Sequence, residues 1–356
     1  MTFWSNNTAA PSYIMTLPFY NRYPAFLRTD LPSLCSDTHT FPDGSTAQIK
    51  RLSNINLVNV AKFLENYYCG DDWRIRRVES WIGRYLCDVE VVVLGLLKGE
   101  TLIATIFSVP VGGSTFMSHG GLVRNMRVIE GLCVAPQYRS HGIAGFMIRH
   151  ADIFTSYTFG VCAHLWAREL DIAPFFHTAL TIDKYGYTKT ARSGSSDPNI
   201  KTMSWGEFVE HWTSNSNKWV IDADEPCIVA LEPQNRRERN MVFYGYRGLM
   251  VISHSERTSV DGHKHIYEIV WSGRFDKDGL MPARRDFNFK QLADGIAALL
   301  PTGGVLFGTS SPCCGGVSKD WDGWIVGNSG YHGLYLYNYM PPAFGACRIH
   351  IVRDEL

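Results

Sequence analysis

The stretch from Val128 to Ile148, V-I-E-G-L-C-V-A-P-Q-Y-R-S-H-G-I-A-G-F-M-I, restricts the possible folds of this chain more than any other. It opens with the β-branched and apolar residues of a strand, breaks at Pro136, and resumes with helical spacing after Gly142. The join carries Arg139, Ser140, His141, Gly142, Ile143 and Ala144. The first N–H groups of a helix have no intrahelical acceptor, the helix dipole favours negative charge there, and Gly and Ala let an anion approach. A strand running into such a turn can cradle a pyrophosphate. It can also be a plain structural connection, and the six residues alone leave both readings open.

Charge and composition narrow the surroundings of this unit. Lys plus Arg and Asp plus Glu both number 34 in 356 residues, so the formal charge is zero. A dedicated nucleic-acid binder normally carries a basic excess, so none is expected. Hydrophobic residues make up 45% and aromatics 13%, enough for a large core and for two domains. No apolar run approaches the roughly 18 residues needed to span a bilayer, so stable membrane insertion is not expected. The nine cysteines are scattered without a CxxC, signalling neither a disulfide framework nor a zinc site. Residues 1–13 lack the basic and apolar regions of a secretory signal, which together with the cysteines predicts a cytoplasmic protein. The ending Arg353-Asp354-Glu355-Leu356 looks like a relaxed retrieval tail, a signal read only in the lumen.

Periodicity gives a coarse element order. Val60, Phe63, Leu64 and Tyr67 share one face of a helix over 57–68. Residues 91–97 and 102–109 read as strands joined by Lys98-Gly99-Glu100. The strand at Val128 and the helix after Gly142 follow, then a strand over 161–166 and a short helix over 174–180. Tyr185-Gly186-Tyr187 closes this half, and residues 192–199 form a loop. Further strands are expected at 228–231, 249–254 and 266–271, then a helix over 287–300 capped by Asp286, then strands at 305–308, 334–339 and 348–352. The fold class is α/β with a mixed sheet. The second half loosely repeats the order of the first without a phosphate turn of its own.

Arg139-x-x-Gly142-x-Ala144 resembles the (Arg/Gln)-x-x-Gly-x-(Gly/Ala) turn with which acyl-CoA-dependent N-acyltransferases of the GNAT fold grip the CoA pyrophosphate. Over the whole chain the layout is similar to the N-myristoyltransferase (glycylpeptide N-tetradecanoyltransferase) family, whose fold is two fused GNAT-like halves. Phe3-Trp4 matches the Phe-Trp ahead of that family's core. Asn66-Tyr67-Tyr68 with Asp71-Asp72 resembles its Asn-Tyr-Val-Glu-Asp-Asp segment, and Leu132-Cys133-Val134 its Phe-Leu-Cys-Val strand, with Gly131 in the Phe position. Tyr138 to Ala144 falls on its Leu-Arg-Ser-Lys-Arg-Val-Ala turn, and Phe176-His177 resembles its Trp-His. Glu210-His211-Trp212 matches a Glu-His-Trp, and Tyr335-Leu336-Tyr337-Asn338-Tyr339 with Pro342 and Gly345-Ala346 matches a run near its C-terminus.

The resemblance implies a first half, residues 1–203, that binds acyl-CoA, and a second, 204–356, that builds much of a peptide groove. It implies myristoyl-CoA as co-substrate, N-terminal-glycine proteins as partners, a monomer, and no metal. The CoA contacts it implies are Thr2, Phe3, Trp4, Gly131, Leu132, Cys133, Val134, Arg139, Ser140, His141, Gly142, Ile143 and Ala144. Substrate contacts fall on Tyr67, Asp71, Asp72, Glu130, Phe175, His177 and Tyr337. Acyl transfer to an amine builds an oxyanion, which needs preorganised donors; the resemblance places them at the backbone N–H groups of Gly131 and Leu132. It assigns the base that accepts the amine proton to the C-terminal carboxylate, here that of Leu356.

The chain departs from the pattern at several of these places. Glycine at 131 keeps the amide while loosening the strand, and Glu130 stands where the family has Asn, either meeting substrate or sitting as a strand-edge charge. Asn328-Ser329-Gly330 replaces Gly-Asp-Gly, and the family's active-site Thr falls on Trp166. The last residues are charged and overrun the family's end by about two positions, leaving Leu356, Asp354 or Glu355 as the carboxylate. Three readings follow: an N-myristoyltransferase-like enzyme, another GNAT-type N-acyltransferase, or an acyl-CoA-binding module that has lost its base.

Overall fold

The computed structural model describes residues 25–26, 30–69, 73–75, 79–111, 116–117, 121–122, 126–160, 162–169, 178–183, 186–190, 197–221, 227–231, 240–259, 264–282, 288–309, 317–318, 320–328, 332–337, 339–340 and 348–352. Two large mixed sheets organise them.

The first sheet has eight strands in the order Thr178–Asp183, His332–Tyr337, Ala163–Glu169, Met126–Val134, Thr101–Pro110, Val92–Lys98, Thr46–Arg51 and Thr38–Thr40. Only Met126–Val134 and Ala163–Glu169 run parallel, joined by the crossover helix Ile143–Phe159. Strand alternation explains why both faces are covered. Val92, Leu94 and Leu96 point to the crossover helix and meet Ile143, Met147 and Ala151. Val91 and Val93 point the other way, with Phe107 and Val109, toward helices Leu57–Tyr67 and Glu79–Cys87.

The second sheet repeats the plan. Its main path is Lys201–Met203, Asn240–Gly245, Gly248–Ser259, His265–Asp276, Val305–Thr309, Gly186–Thr190 and Ile325–Asn328, with Gly279–Pro282 and Trp73–Ile75 pairing alongside. His265–Asp276 and Val305–Thr309 form the parallel pair. Helix Asn288–Leu299 covers one face through Phe289, Leu292 and Ile296. Helix Trp205–Ile221 covers the other, where Phe208 and Trp212 enclose the fully buried Trp271.

The sheets exchange one strand each. Gly186–Thr190 follows Thr178–Asp183 in the chain yet lies in the second sheet, between Val305–Thr309 and Ile325–Asn328. His332–Tyr337 follows Ile325–Asn328 yet lies in the first, between Ala163–Glu169 and Thr178–Asp183. A smaller sheet joins Arg348–Val352 to Cys227–Leu231, Phe116–Met117 and Gly121–Leu122.

Two expectations need correction. The helix expected over 174–180 is contradicted at its described end, since Thr178–Asp183 is a strand; the Thr-Ala-Leu-Thr-Ile run gains a partner in His332–Tyr337 that no local pattern reveals. Tyr185-Gly186-Tyr187 does not close the first half but begins the crossing into the second sheet. The helix Asn288–Leu299 forms as expected, while its cap Asp286 lies outside the described residues. None of the described helices is long and apolar enough to cross a membrane.

Candidate active site

The site is built on the Met126–Val134 strand and the turn that follows it. The antiparallel register with Thr101–Pro110 slips between the pairs Thr105↔Cys133 and Phe107↔Glu130, so Gly131 and Leu132 together oppose Ile106. This is a β-bulge, and Gly131 makes it with φ +58°. A Cβ at Gly131 would fall 2.4 Å from the Phe107 ring. Glycine therefore does not loosen the strand, as the sequence suggested; it is the residue that lets Phe107 fill the core beneath the bulge.

The bulge also aims an amide. The buried Thr105 hydroxyl donates to the Gly131 carbonyl at 3.0 Å. In a trans peptide the C=O and the following N–H point in opposite directions. The Leu132 N–H is thus directed away from Thr105 and the Thr101–Pro110 strand. On the other side of Met126–Val134 the parallel pairing runs from Ala163↔Met126 to Trp166↔Ile129 and stops. Among the described residues, Gly131 to Val134 have no strand partner on that side. The two strands splay at Glu130 and Trp166, and a polar backbone edge faces the opening.

Beyond Val134 the chain makes a single 3₁₀ turn, Pro136–Tyr138, fixed by the Ala135 N–H on the Ile103 carbonyl at 2.9 Å. Ser140 and Gly142 then take φ +67° and +76°. A non-glycine residue at positive φ is uncommon and costs free energy, so the turn is held in a strained shape by its surroundings. Arg139 supplies part of that hold, its Nε donating to the Val134 carbonyl at 3.1 Å. His141 Nδ1 lies 2.9 Å from the Arg139 carbonyl. Gly142 caps helix Ile143–Phe159 with no side chain bonded to the first turn and no acidic residue in it. The first-turn N–H groups are left for solvent or an anion. Arg139, Ser140, His141, Gly142 and Ala144 are exposed, while Ile143 is anchored in the core.

The helix is pinned along its length. Near its middle the Asp152, Thr155 and His164 side chains form a buried polar contact, with His164 Nε2 3.1 Å from Thr155 Oγ1 and Nδ1 3.8 Å from Asp152. At its end the guanidinium of the buried Arg127 packs 4.3 Å from the Phe159 ring centroid. That guanidinium also donates to the Ser108 hydroxyl and carbonyl, both at 2.9 Å, and to the Glu90 carbonyl.

The remaining expected residues fall into three groups. Cys133 points into the core, and burial pushes its thiol up to about 12 despite Arg139 nearby, so only its backbone can face a ligand. Glu130 is half-buried at the splay, and Tyr67 ends helix Leu57–Tyr67 with its ring 5.1 Å from Phe63. Tyr337 pairs with His164 in the exchanged strand. Thr2, Phe3, Trp4, Asp71, Asp72, Phe175, His177 and Leu356 lie outside the described residues. The sequence reading missed Thr105. Its only signal was a Thr on a strand already assigned, and its role depends on a bulge that periodicity does not reveal.

No protein-family model and no curated protein sequence matches the chain. Solved structures do. Saccharomyces cerevisiae N-myristoyltransferase with bound myristoyl-CoA superposes with a TM-score of 0.64 at 12% identity, covering 96% of this chain and 93% of that one. A second structure of the yeast enzyme, with myristoyl-CoA and inhibitors, gives 0.63 at 10% identity, covering 96% and 90%. With the strand order above, this likeness establishes the architecture: the chain has the N-myristoyltransferase fold, two GNAT-like halves in one protein.

Proposed function

We propose that the protein is an acyl-CoA N-acyltransferase of the N-myristoyltransferase type, moving a myristoyl group from CoA to the N-terminal glycine amine of a protein. One observation carries the reading. A bulge that turns the Leu132 amide toward a splayed strand edge and an uncapped helix N-terminus at Gly142 occur on one short segment, within a fold shared with enzymes solved with bound myristoyl-CoA.

In this reading the first-turn amides of helix Ile143–Phe159 and the Arg139 guanidinium hold the pyrophosphate. The thioester lies along the edge from Gly131 to Val134. The amine nitrogen attacks the carbonyl carbon, and the Leu132 N–H stabilises the oxyanion. The C–S bond then breaks, CoA leaves as thiolate, and the amine proton passes to a carboxylate assigned to Leu356, with Asp354 and Glu355 as the alternatives, which releases it to the thiolate or to solvent. An α-amine titrates near pKa ~8, so a base raises the neutral fraction near pH 7. The family resemblance supplies the peptide partner and the chain length. The strand Arg348–Val352, which leads to these carboxylates, packs against both Thr178–Asp183 and His265–Asp276.

The test is thiol release from myristoyl-CoA or acetyl-CoA in the presence of a Gly-starting peptide. Release with the C14 donor and the Gly peptide alone supports the reading. Release with acetyl-CoA assigns a shorter-chain transferase, and binding without release assigns an acyl-CoA-binding module. One glycine appended after Leu356 should abolish turnover if the terminal carboxylate is the base; unchanged turnover excludes it.

A further inference from the structure

We infer that Lys98 is a specificity residue for the nucleotide end of the acyl donor, binding the 3′-phosphate of CoA. This rests on the acyl-CoA reading above. Lys98 ends strand Val92–Lys98, and the Gly99-Glu100 turn, with Gly99 at φ +62°, returns the chain at Thr101. Val134 pairs with Ala104 and the Ala135 N–H bonds to the Ile103 carbonyl, so this hairpin end lies beside the turn that starts at Ala135.

The ammonium is held there by aromatic rings. Lys98 Nζ lies 4.7 Å from the Phe41 ring centroid and 5.6 Å from that of Tyr138. Phe41 in turn is 5.7 Å from Tyr138 and 5.8 Å from the His141 ring. The cation therefore stands over the wall that backs the phosphate turn, its stem lying on apolar surface and its head held by the ring faces. Asp43 is the carboxylate that feels its charge, but Asp43 accepts from the Ser45 N–H at 2.9 Å and hydroxyl at 2.6 Å. Among the described residues Lys98 forms no ion pair.

Charge counting assigns it a ligand. The turn itself contributes one formal cation, Arg139, whose Nε is held at the Val134 carbonyl. A CoA thioester brings a pyrophosphate and also a phosphomonoester of about two negative charges at neutral pH. The amides at Ile143 to Gly145 and Arg139 account for the pyrophosphate. The monoester needs a second cation displaced from the helix end, and Lys98 is held there.

The test is isothermal titration of the full chain with CoA and with 3′-dephospho-CoA. The wild type should prefer CoA about tenfold, the size expected of one charge-assisted contact. Lys98→Met keeps the stem and should erase that preference while leaving 3′-dephospho-CoA affinity within about twofold. Lys98→Arg should restore it. Equal binding of both ligands by the wild type, or equal weakening of both by Lys98→Met, overturns the assignment and leaves the acyl-CoA reading standing. Failure of the wild type to bind either ligand overturns the acyl-CoA reading itself.

Discussion

The two crossover units of this protein use one plan for different ends. Each has a long strand, a helix over one face, and a parallel strand returning beside the first. In the first unit a glycine changes the backbone direction: Gly131 takes a positive φ and makes a bulge. In the second, Gly273 keeps ordinary strand geometry and instead lets the Gly279–Pro282 hairpin close over Trp271, where a Cβ would meet the indole at 2.1 Å and the Met281 carbonyl at 2.6 Å. The first helix begins at an uncapped, exposed turn. The second is clamped in its body by Asp294, which binds Lys189, Lys290 and the Trp324 indole N–H. In the proposed function the same strand–helix frame serves as a binding edge in one half, and in the other it is a brace.

Exchanging these features should separate function from stability. The largest effect is expected for Gly131→Ala, which meets both the Phe107 ring and a left-handed backbone; a loss of roughly 3 kcal/mol, read by urea denaturation, is in the range for overpacking plus strain. Gly273→Ala should destabilise comparably yet leave CoA affinity of the folded protein unchanged. If Gly273→Ala removes CoA binding as fully as Gly131→Ala, the division of roles between the units is wrong.

Thr105→Val should lower kcat about tenfold or more with little change in KM for acyl-CoA, because the Leu132 donor is misaimed rather than lost. Thr105→Ser should restore it, a rescue that a packing role would not give. The smaller effects concern charge. Burial raises the Asp294 carboxyl, but the two lysines and Trp324 outweigh it, so its pKa is lowered. A depressed carboxylate contributes stability that is present above the unfolded carboxylate range and lost as pH falls through the folded value. The melting temperature of the wild type should therefore fall on acidification below that range more steeply than that of Asp294→Asn. Least visible is Cys133: near pH 8 iodoacetamide should label the exposed Cys69 and Cys87 and spare Cys133 in the folded chain.

Much of this architecture is legible from residue patterns. The apolar spacing of Val60, Phe63 and Leu64 gives the first helix, and the Gly142 turn and its helix follow from Pro136 and the small residues after it. Helix Trp205–Ile221 was overlooked although Ser204 and Glu207 form a capping box and Trp205, Phe208, Val209 and Trp212 recur at helical spacing. Thr178–Asp183 and Gly186–Thr190 were misread because their partners, His332–Tyr337 and Val305–Thr309, are distant in sequence. The turn residues of the site were visible because local chemistry specifies them. Thr105 and the conformational role of Gly131 were not, because both depend on a one-residue register slip between strands.

The reciprocal strand exchange has a consequence for how the chain is made. A polypeptide leaves the ribosome from its N-terminus, and domains ordinarily fold as they emerge. Here Leu165 has Val128 on one side early, but its other neighbour, Leu336, is made 171 residues later. Thr188 likewise emerges well before Phe307 and Ile325, the residues it pairs with. The first sheet therefore waits for a strand made long after its others, and long-range pairing of this kind is slow. Neither half can complete its sheet from its own residues, so neither is expected to fold as an independent unit.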